Sequence, residues 1–492
     1  MRSVLGSARR KSPCQLFRKG ERKMANPNEG AAHKTPAYAW PCLFASLFIA
    51  VTLVWEWQWM PGVTGGTATK WFLFNNPDIA GMFGFNPAEL QGEALGAWFG
   101  ENLGRAIGVV MGNSMSWVPI GAIIMAFPTT FLVQKIGPKW ASVIGVCIAI
   151  VGAIITTLCL TSSWTGYQVG RFIFGLALAC TIVAGPTCVS IWFPGATRGR
   201  AMAIWSTWAP IGIFTVNMWG GNVLDLLGGD IVMLNWLWIV LMAIAGVVFL
   251  IVFREPRGDE VSEVSPERKR LRDVLQFFKS RQLWSLIILF AIFNYMNYAF
   301  SQYLKTWLAM DISAGGMGWD AGMAGLIGGA LCACGILGPI GGWIMDKLSR
   351  DKKWIAPLLG IISLTICMVL SFKANNAIFA LYALFFCIGN MFLNGCCRPM
   401  VPTYVFKGGA TAVAFGLSFL TCGQYLGQIP TSYAFQYGTS VGMSYSDIMM
   451  YFFVPVGIVG IIFGLLMKPS KPKAEIAEGG AAGAPAGKPE EK

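Results

Sequence analysis

From Pro41 to Met467 the chain alternates long apolar runs with short polar or basic breaks. A bilayer's hydrocarbon core is about 30 Å thick and needs about 20 predominantly apolar residues per helix. By that measure about twelve spans are predicted, at about 40–60, 107–133, 139–161, 166–193, 200–220, 233–254, 284–309, 319–346, 354–372, 377–399, 412–435 and 447–467. Only helices or closed barrels satisfy backbone hydrogen bonds inside lipid, and these runs lack the strict alternation of barrel strands. The expected fold is therefore all-α and polytopic. An even number of spans puts both termini on one side.

The polar intervals divide this pattern. Residues 1–36 form a basic tail with no apolar region of signal-peptide type, expected to stay in the cytoplasm, and Met24 offers a second plausible start. Residues 61–104 are a long outward-facing loop rich in Gly, Asn and aromatics. Residues 255–283 carry many charges and a short amphipathic piece (Leu271, Val274, Leu275, Phe277, Phe278), which makes them a cytoplasmic linker. They separate a first six-helix bundle at 37–254 from a second at 284–467, and 468–492 is a low-complexity, disordered cytoplasmic tail. Basic residues fall in alternate loops: Lys135 and Lys139, Arg198 and Arg200, Arg254 through Arg281, Lys347 through Lys353, and Lys407. The intervening loops offer little beyond Lys70, Arg105 and Lys373. By the positive-inside rule the basic set is cytoplasmic, as expected for a protein of the cell inner (plasma) membrane.

Composition agrees with this reading and narrows the chemistry. The chain has 55% hydrophobic and 12% charged residues and a mean hydropathy of +0.57. The net charge of +13 lies in tails and loops, so it indicates topology and not nucleic acid. The single histidine, His33, sits in the tail, which excludes a histidine-based catalytic or metal site within the membrane. All but one of the cysteines fall in predicted spans without zinc-like spacing; Cys332, Cys334, Cys396 and Cys397 read as small packing residues. No phosphate-binding loop, G-x-S-x-G element or paired intramembrane acids occur, so neither an ATP-driven pump nor an intramembrane enzyme is expected, and no cofactor.

The two halves show a weak internal repeat. QKIGPK at 134–139 faces DKLSRD at 346–351, and IWFPGATRGRAMAIWS at 191–206 faces TYVFKGGATAVAFGLS at 403–418; both pairs stand 212 residues apart, as a duplicated bundle would leave them. At these residues the chain resembles the major facilitator superfamily, whose members carry G-x-x-x-D-[RK]-x-G-[RK]-[RK] after the second span and often after the eighth. The second copy keeps Gly342, Asp346, Lys347 and Arg350, with Ser349 where glycine is usual. The first keeps Lys135, Gly137 and Lys139 but has Thr130 for the first glycine and Gln134 for the acid. GRFIFG matches the family's R-x-x-x-G element at Arg171 and Gly175, and WFPGATRGRAMAI resembles the branch that carries organic and small inorganic anions. The resemblance implies the major facilitator fold, twelve helices in two pseudo-symmetric bundles that rock around a midplane site lined by spans 1, 4, 7 and 10. In that setting Asp346, Lys347 and Arg350 are candidate gating residues: Asp346 could accept bonds from a neighbouring helix N-terminus and pair with Lys347 or Arg350. The plainer alternative is an ordinary interfacial charge cluster.

Ionisable residues inside spans cost about 2.5–3.5 kcal/mol on insertion scales, so each needs a partner, a wet cavity or an interfacial position. Glu56, Arg171 and Lys305 lie at comparable depth in spans 1, 4 and 7. On span 7, Asn294, Asn297 or Tyr298, Ser301 and Lys305 share one helical face, while Asn390 and Asn394 pair on span 10, and Thr421, Gln424 and Gln428 on span 11. These faces either line a substrate path or glue helices together. Two cations against one acid make the site net positive, so an anionic small molecule is the expected substrate, oriented by Arg171 and neutralised by Lys305. Glu56 is either a proton carrier or the partner of Arg171 in a structural ion pair. Trp55, Trp57 and Trp59 read as an interfacial aromatic belt, and Arg398 as an anchor reaching back to the cytoplasm. Trp205 and Trp208 lie deeper and are less easily set aside.

The expected function is a monomeric secondary carrier of a small organic anion of the carboxylate type, coupled to a proton or to a counter-substrate. An exporter of amphipathic or cationic compounds is the alternative suggested by abundant aromatics, and a transport-like receptor is a third.

Overall fold

The computed structural model describes residues 35–193, 195–256, 280–312, 315–405 and 409–468. The readings made of the N-terminal tail, the linker's amphipathic piece, Lys407 and the C-terminal tail lie outside the described residues, as do those resting on the side chains of Arg198, Arg200 and Arg350. Among the described residues all regular structure is helical. The first set comprises α1 (Ala39–Trp57), α2 (Trp59–Val63), α3 (Gly65–Asn75), α4 (Pro77–Met82), α5 (Glu93–Cys159), α6 (Trp164–Trp192), α7 (Gly195–Trp205), α8 (Trp208–Leu226) and α9 (Ile231–Val252). The second comprises α10 (Arg281–Ala309), α11 (Ala321–Cys332), α12 (Gly338–Asp346), α13 (Ile355–Leu370), α14 (Asn376–Val405), α15 (Gly409–Ser440), α16 (Tyr445–Ile448) and α17 (Val454–Leu466). A 3-10 turn at Ala333–Leu337 joins α11 to α12, and a π turn at Met449–Phe453 joins α16 to α17.

Eight of these helical runs are long and apolar enough to cross a membrane by length and composition. Their outward faces are apolar too: Val240, Val247 and Ile251 on α9 are exposed, as suits a helix whose solvent is lipid. α5 is two rods broken at Gly137, whose φ of 84° lies in the left-handed region that favours glycine. The loop expected at 134–139 is thus a one-residue break followed by Pro138.

The stretch 61–104 departs from its expected form. Thr64 and Asn76 each cap a helix by accepting from the backbone N–H three residues on, Pro77 opens α4, and α5 already begins at Glu93. Phe72 and Ile79 are fully buried. Asn76 Nδ2 donates to Leu160 O at 2.9 Å, and Asp78 Oδ2 accepts from Trp164 N at 2.8 Å. Local capping signals, outvoted in the sequence by the Gly and Asn content, make this stretch a helical cap pinned over the start of α6.

The two sets meet along α5 against α15 and α8 against α11. Thr130 and Ser418 share a hydroxyl hydrogen bond of 2.8 Å, and Phe127 packs edge-on to Phe419 at 4.4 Å. Cys334 does not act as a packing residue alone: it is joined to Cys387, tying the 3-10 turn to α14. Below, the end of the bundle holding 134–139 and 346–353 is the basic end, and the end where α10 finishes is the far end.

Candidate functional site

Between the two sets lies a cavity of about 60 Å³. That is room for a few waters or a solute smaller than benzene, which needs a cavity of about 150 Å³. The second set supplies most of its polar wall. Asn294, Asn297, Tyr298 and Ser301 come from α10, Asn390, Asn394 and Arg398 from α14, and Gln424 and Gln428 from α15. The first set supplies Trp57 and Gln58 at the break after α1, then Ser206 and Trp208 around the start of α8. The structure thus brings together the uncharged residues expected at the site, Asn294, Asn297, Tyr298, Ser301, Asn390, Asn394 and Gln424. Both members of the "Asn297 or Tyr298" alternative face it.

Arg398 is the only charged side chain lining this cavity among the described residues. It is no interfacial anchor: its Nη2 donates to Gln424 Oε1 at 2.9 Å, and its guanidinium lies 5.9 Å from the Phe290 ring. Asn390, Asn394 and Arg398 stand four residues apart, so one face of α14 carries all three, and Asn394 Nδ2 donates to Asn390 Oδ1 at 3.0 Å. A neutral amide as the only hydrogen-bond partner among the described residues leaves the guanidinium's charge uncompensated there and most of its planar donor fork available.

Arg171 and Lys305, by contrast, do not line the cavity. Arg171 is fully buried on α6. Its Nη1 donates to Glu56 O at 2.9 Å, its Nη2 to Trp57 O at 2.6 Å, and its Nε to Ser114 O at 3.4 Å. The carbonyls of Glu56 and Trp57 are freed where α1 ends, since the last carbonyls of a helix have no partner in their own helix, and Ser114 O belongs to α5. Glu56 Oε1 stands 3.8 Å from Arg171 Nη1, and neither carboxylate oxygen receives a hydrogen bond. Lys305 Nζ donates to Gly62 O and to Asn217 O. Both cations are spent on backbone carbonyls, a kind of partner that residue type and depth do not reveal.

Trp57 and Trp59 form no aromatic belt. Trp57 is 3% and Trp59 0% exposed, and the Trp57 ring lies tilted against Tyr298 at 5.7 Å. The chain runs on from α1 into the helical cap, so Trp57 meets Tyr298 and Tyr425 of the second set while Trp59 meets Phe72 of α3. Trp205 is buried, with its Nε1 donating to Ser46 Oγ at 3.1 Å, whereas Trp208 reaches the cavity.

At the basic end Asp346 pairs with Lys353, Nζ to Oδ1 3.1 Å, and not with Lys347, whose Nζ sits 3.4 Å over the Trp343 ring. The turn Arg350–Lys352 folds the chain back and brings Lys353 within reach.

The family model described as Major Facilitator Superfamily matches residues 80–430. The chain belongs to the major facilitator superfamily. Its fold is similar to that of the human organic anion transporter MFSD10 (TETRAN), with a TM-score of 0.59 and 11% identity, covering 88% of this chain and 100% of that one. It is also similar to a bacterial homologue of the human lysosomal transporter Spinster in an inward-facing, unoccupied conformation, with a TM-score of 0.53 and 15% identity over 88% of this chain and 96% of that one. At such identities the likeness is one of fold. A segment of 165 residues is 27% identical to the quinolone resistance protein NorB of Staphylococcus aureus (strain JH9), covering 33% of this chain and 32% of that protein. The chain therefore matches about a third of that relative's length.

For a member of this superfamily, the cavity between the sets is the candidate site. Sequence reasoning missed Arg398, Gln58, Ser206 and Trp57 there. The signal for Arg398 was present: it continues the Asn390 and Asn394 face by one more turn of α14.

Proposed function

We propose that this transporter is a secondary carrier for a small organic anion of the carboxylate type. It moves the anion across the plasma membrane by alternating access, with both termini in the cytoplasm, and couples it to a proton or exchanges it for a counter-substrate. The observation that carries this reading is Arg398, the one cation among the described residues on a cavity wall of amides, hydroxyls, aromatic rings and a few small apolar side chains. A cation held in a poorly solvated site without an acid is costly, and an arriving carboxylate relieves that cost while accepting two parallel bonds from the guanidinium fork. The amides of Asn294, Asn390, Asn394 and Gln424 can donate to the same anion, and the cavity volume favours a cargo of few atoms. Glu56, buried without a donor to either oxygen, is the candidate proton carrier. Uptake of labelled mono- and dicarboxylates into proteoliposomes, with and without a pH gradient, tests the proposal. Uptake that Arg398→Gln weakens on the order of a hundredfold is expected; wild-type rates in Arg398→Gln would remove the anion reading.

A second reading is favoured by the partial similarity to NorB and by the aromatic side chains at the cavity, Trp57, Trp208, Phe290 and Tyr298. An exporter of amphipathic or cationic compounds would use such rings. Among the described residues no acid lines the cavity to receive a cation, which is why this reading ranks second. Protection of growing cells against toxic amphipathic cations, lost in Trp57→Ala, would reverse the order.

A further inference from the structure

The far end of the molecule is closed by contacts that cross from one helical set to the other and that rely on backbone groups. Gly65 N donates to Thr306 Oγ1 at 3.0 Å, and the Tyr298 hydroxyl donates to Met115 O at 3.3 Å. Between them Lys305 of the second set reaches two carbonyls of the first, Gly62 O at the end of α2 and Asn217 O on α8. We propose that Lys305 is the latch of the far end, a positioning residue whose ammonium holds α2 and α8 against α10 while that end is closed and lets go when it opens.

The packing around it is shaped for this reach. A Cβ at Gly325 of α11 would lie 3.4 Å from Lys305 Nζ and 2.8 Å from Asn217 O, so only the absence of a side chain there leaves room for the ammonium to lie against that carbonyl. On the other flank α2 and α8 touch backbone to side chain, since a Cβ at Gly62 would stand 2.8 Å from a Val216 methyl. Gly62 O belongs to the last turn of a five-residue helix, where carbonyls have no partner in the helix itself.

The bonding also explains why the contact is breakable. Lys305 is only 5% exposed. The ion pairs present among the described residues are Glu56 with Arg171 and Asp346 with Lys353, so no acid neutralises it. Charge-assisted bonds to two carbonyls are strong individually, yet they offset only part of the desolvation of an ammonium, so water entering the far end competes well for it. A permanent structural cation in this molecule is built differently: Arg171 has three carbonyls and a carboxylate beside it. The inference rests on the transporter fold and not on the charge of the cargo.

The test is hydrogen–deuterium exchange of the purified full chain in detergent. Lys305→Met is expected to speed exchange at 59–66 and 213–221 on the order of tenfold, the scale of losing a hydrogen bond to a charged group, with α13 unchanged. Gly325→Ala, which keeps the ammonium but crowds it off Asn217 O, should give the same local signature. If Lys305→Met does not fold, Gly325→Ala still tests the latch: its added Cβ also presses on Asn217 O, so wild-type exchange there overturns the latch. Thr306→Val removes only the neighbouring bond and should give a smaller rise. Far-end exchange equal to wild type in a folded Lys305→Met or Gly325→Ala overturns the latch, and so does a rise that extends equally through α13, because that marks general loosening. None of these outcomes depends on which solute the cavity carries, so they can fail while the anion reading stands.

Discussion

Among the described residues two guanidiniums lie deep between the helices of this protein, and they are used in opposite ways. Arg171 is sealed, with its donors on the carbonyls of Ser114, Glu56 and Trp57 and an acid 3.8 Å away. Arg398 faces the central cavity with one neutral amide as its hydrogen-bond partner. The first repairs a break in a helix, and the second leaves charge and donors facing open space. Inside a membrane the role of a cation is set by what fills its donors. A helix break is as good a partner as an acid, because each freed carbonyl is an acceptor that lipid cannot satisfy.

That contrast makes separable predictions. The largest effect is expected in Arg171→Gln, which strands the carbonyls at the end of α1 and leaves Glu56 without its neighbouring cation. Stability should fall by about 3 kcal/mol or more, as when one partner of a buried pair is removed, read as a lower thermal unfolding midpoint in detergent. An unchanged midpoint would break the comparison. Next is Arg398→Gln, which should reduce kcat/KM for carboxylate uptake on the order of a hundredfold while moving the unfolding midpoint far less than Arg171→Gln does. Equal loss of stability in the two variants would mean that Arg398 is structural as well.

Glu56→Gln sharpens the same contrast from the side of the acid. The bonds from Arg171 to the backbone survive the change, so stability should shift by about 1 kcal/mol at most. If Glu56 carries the coupling proton, accumulation driven by a pH gradient should disappear while exchange of substrate across the membrane continues. Accumulation at the wild-type level would remove that role. The smallest effect belongs to Asp346→Asn, since the carboxylate that pairs with Lys353 is 71% exposed. Surface pairs contribute about 0–1 kcal/mol, and uptake should change by less than about tenfold, whereas complete loss would show that the basic-end contact governs the transport cycle.

Much of this architecture was legible in the chain. The apolar runs announced a polytopic helical protein, and the motif residues from Gly342 to Arg350 pointed to the superfamily that the family model identifies. The asparagines of α10 and α14 were readable because helical spacing puts them on one face, and they do line the cavity. That Arg171 and Lys305 would bond to backbone carbonyls off the cavity was not legible, for a definite reason. An acid elsewhere in the sequence advertises itself as a partner for a cation, but a carbonyl released at Trp57 or Gly62 does not. The reading of 61–104 as a loop had a similar origin: capping by Thr64 and Asn76 outweighs the Gly and Asn content only once Phe72 and Ile79 have a core to enter.

By itself the sequence determined the solvent, the helical class and the family, because burial of apolar surface in lipid and satisfaction of backbone hydrogen bonds are properties of runs of residues, and runs can be read directly. Only the tertiary structure decided which cation meets the cavity and which are taken up by backbone. That choice turns on where α1 breaks, how closely α8 approaches α11, and which turn of α14 faces inward, and these are relations between helices that no single run contains.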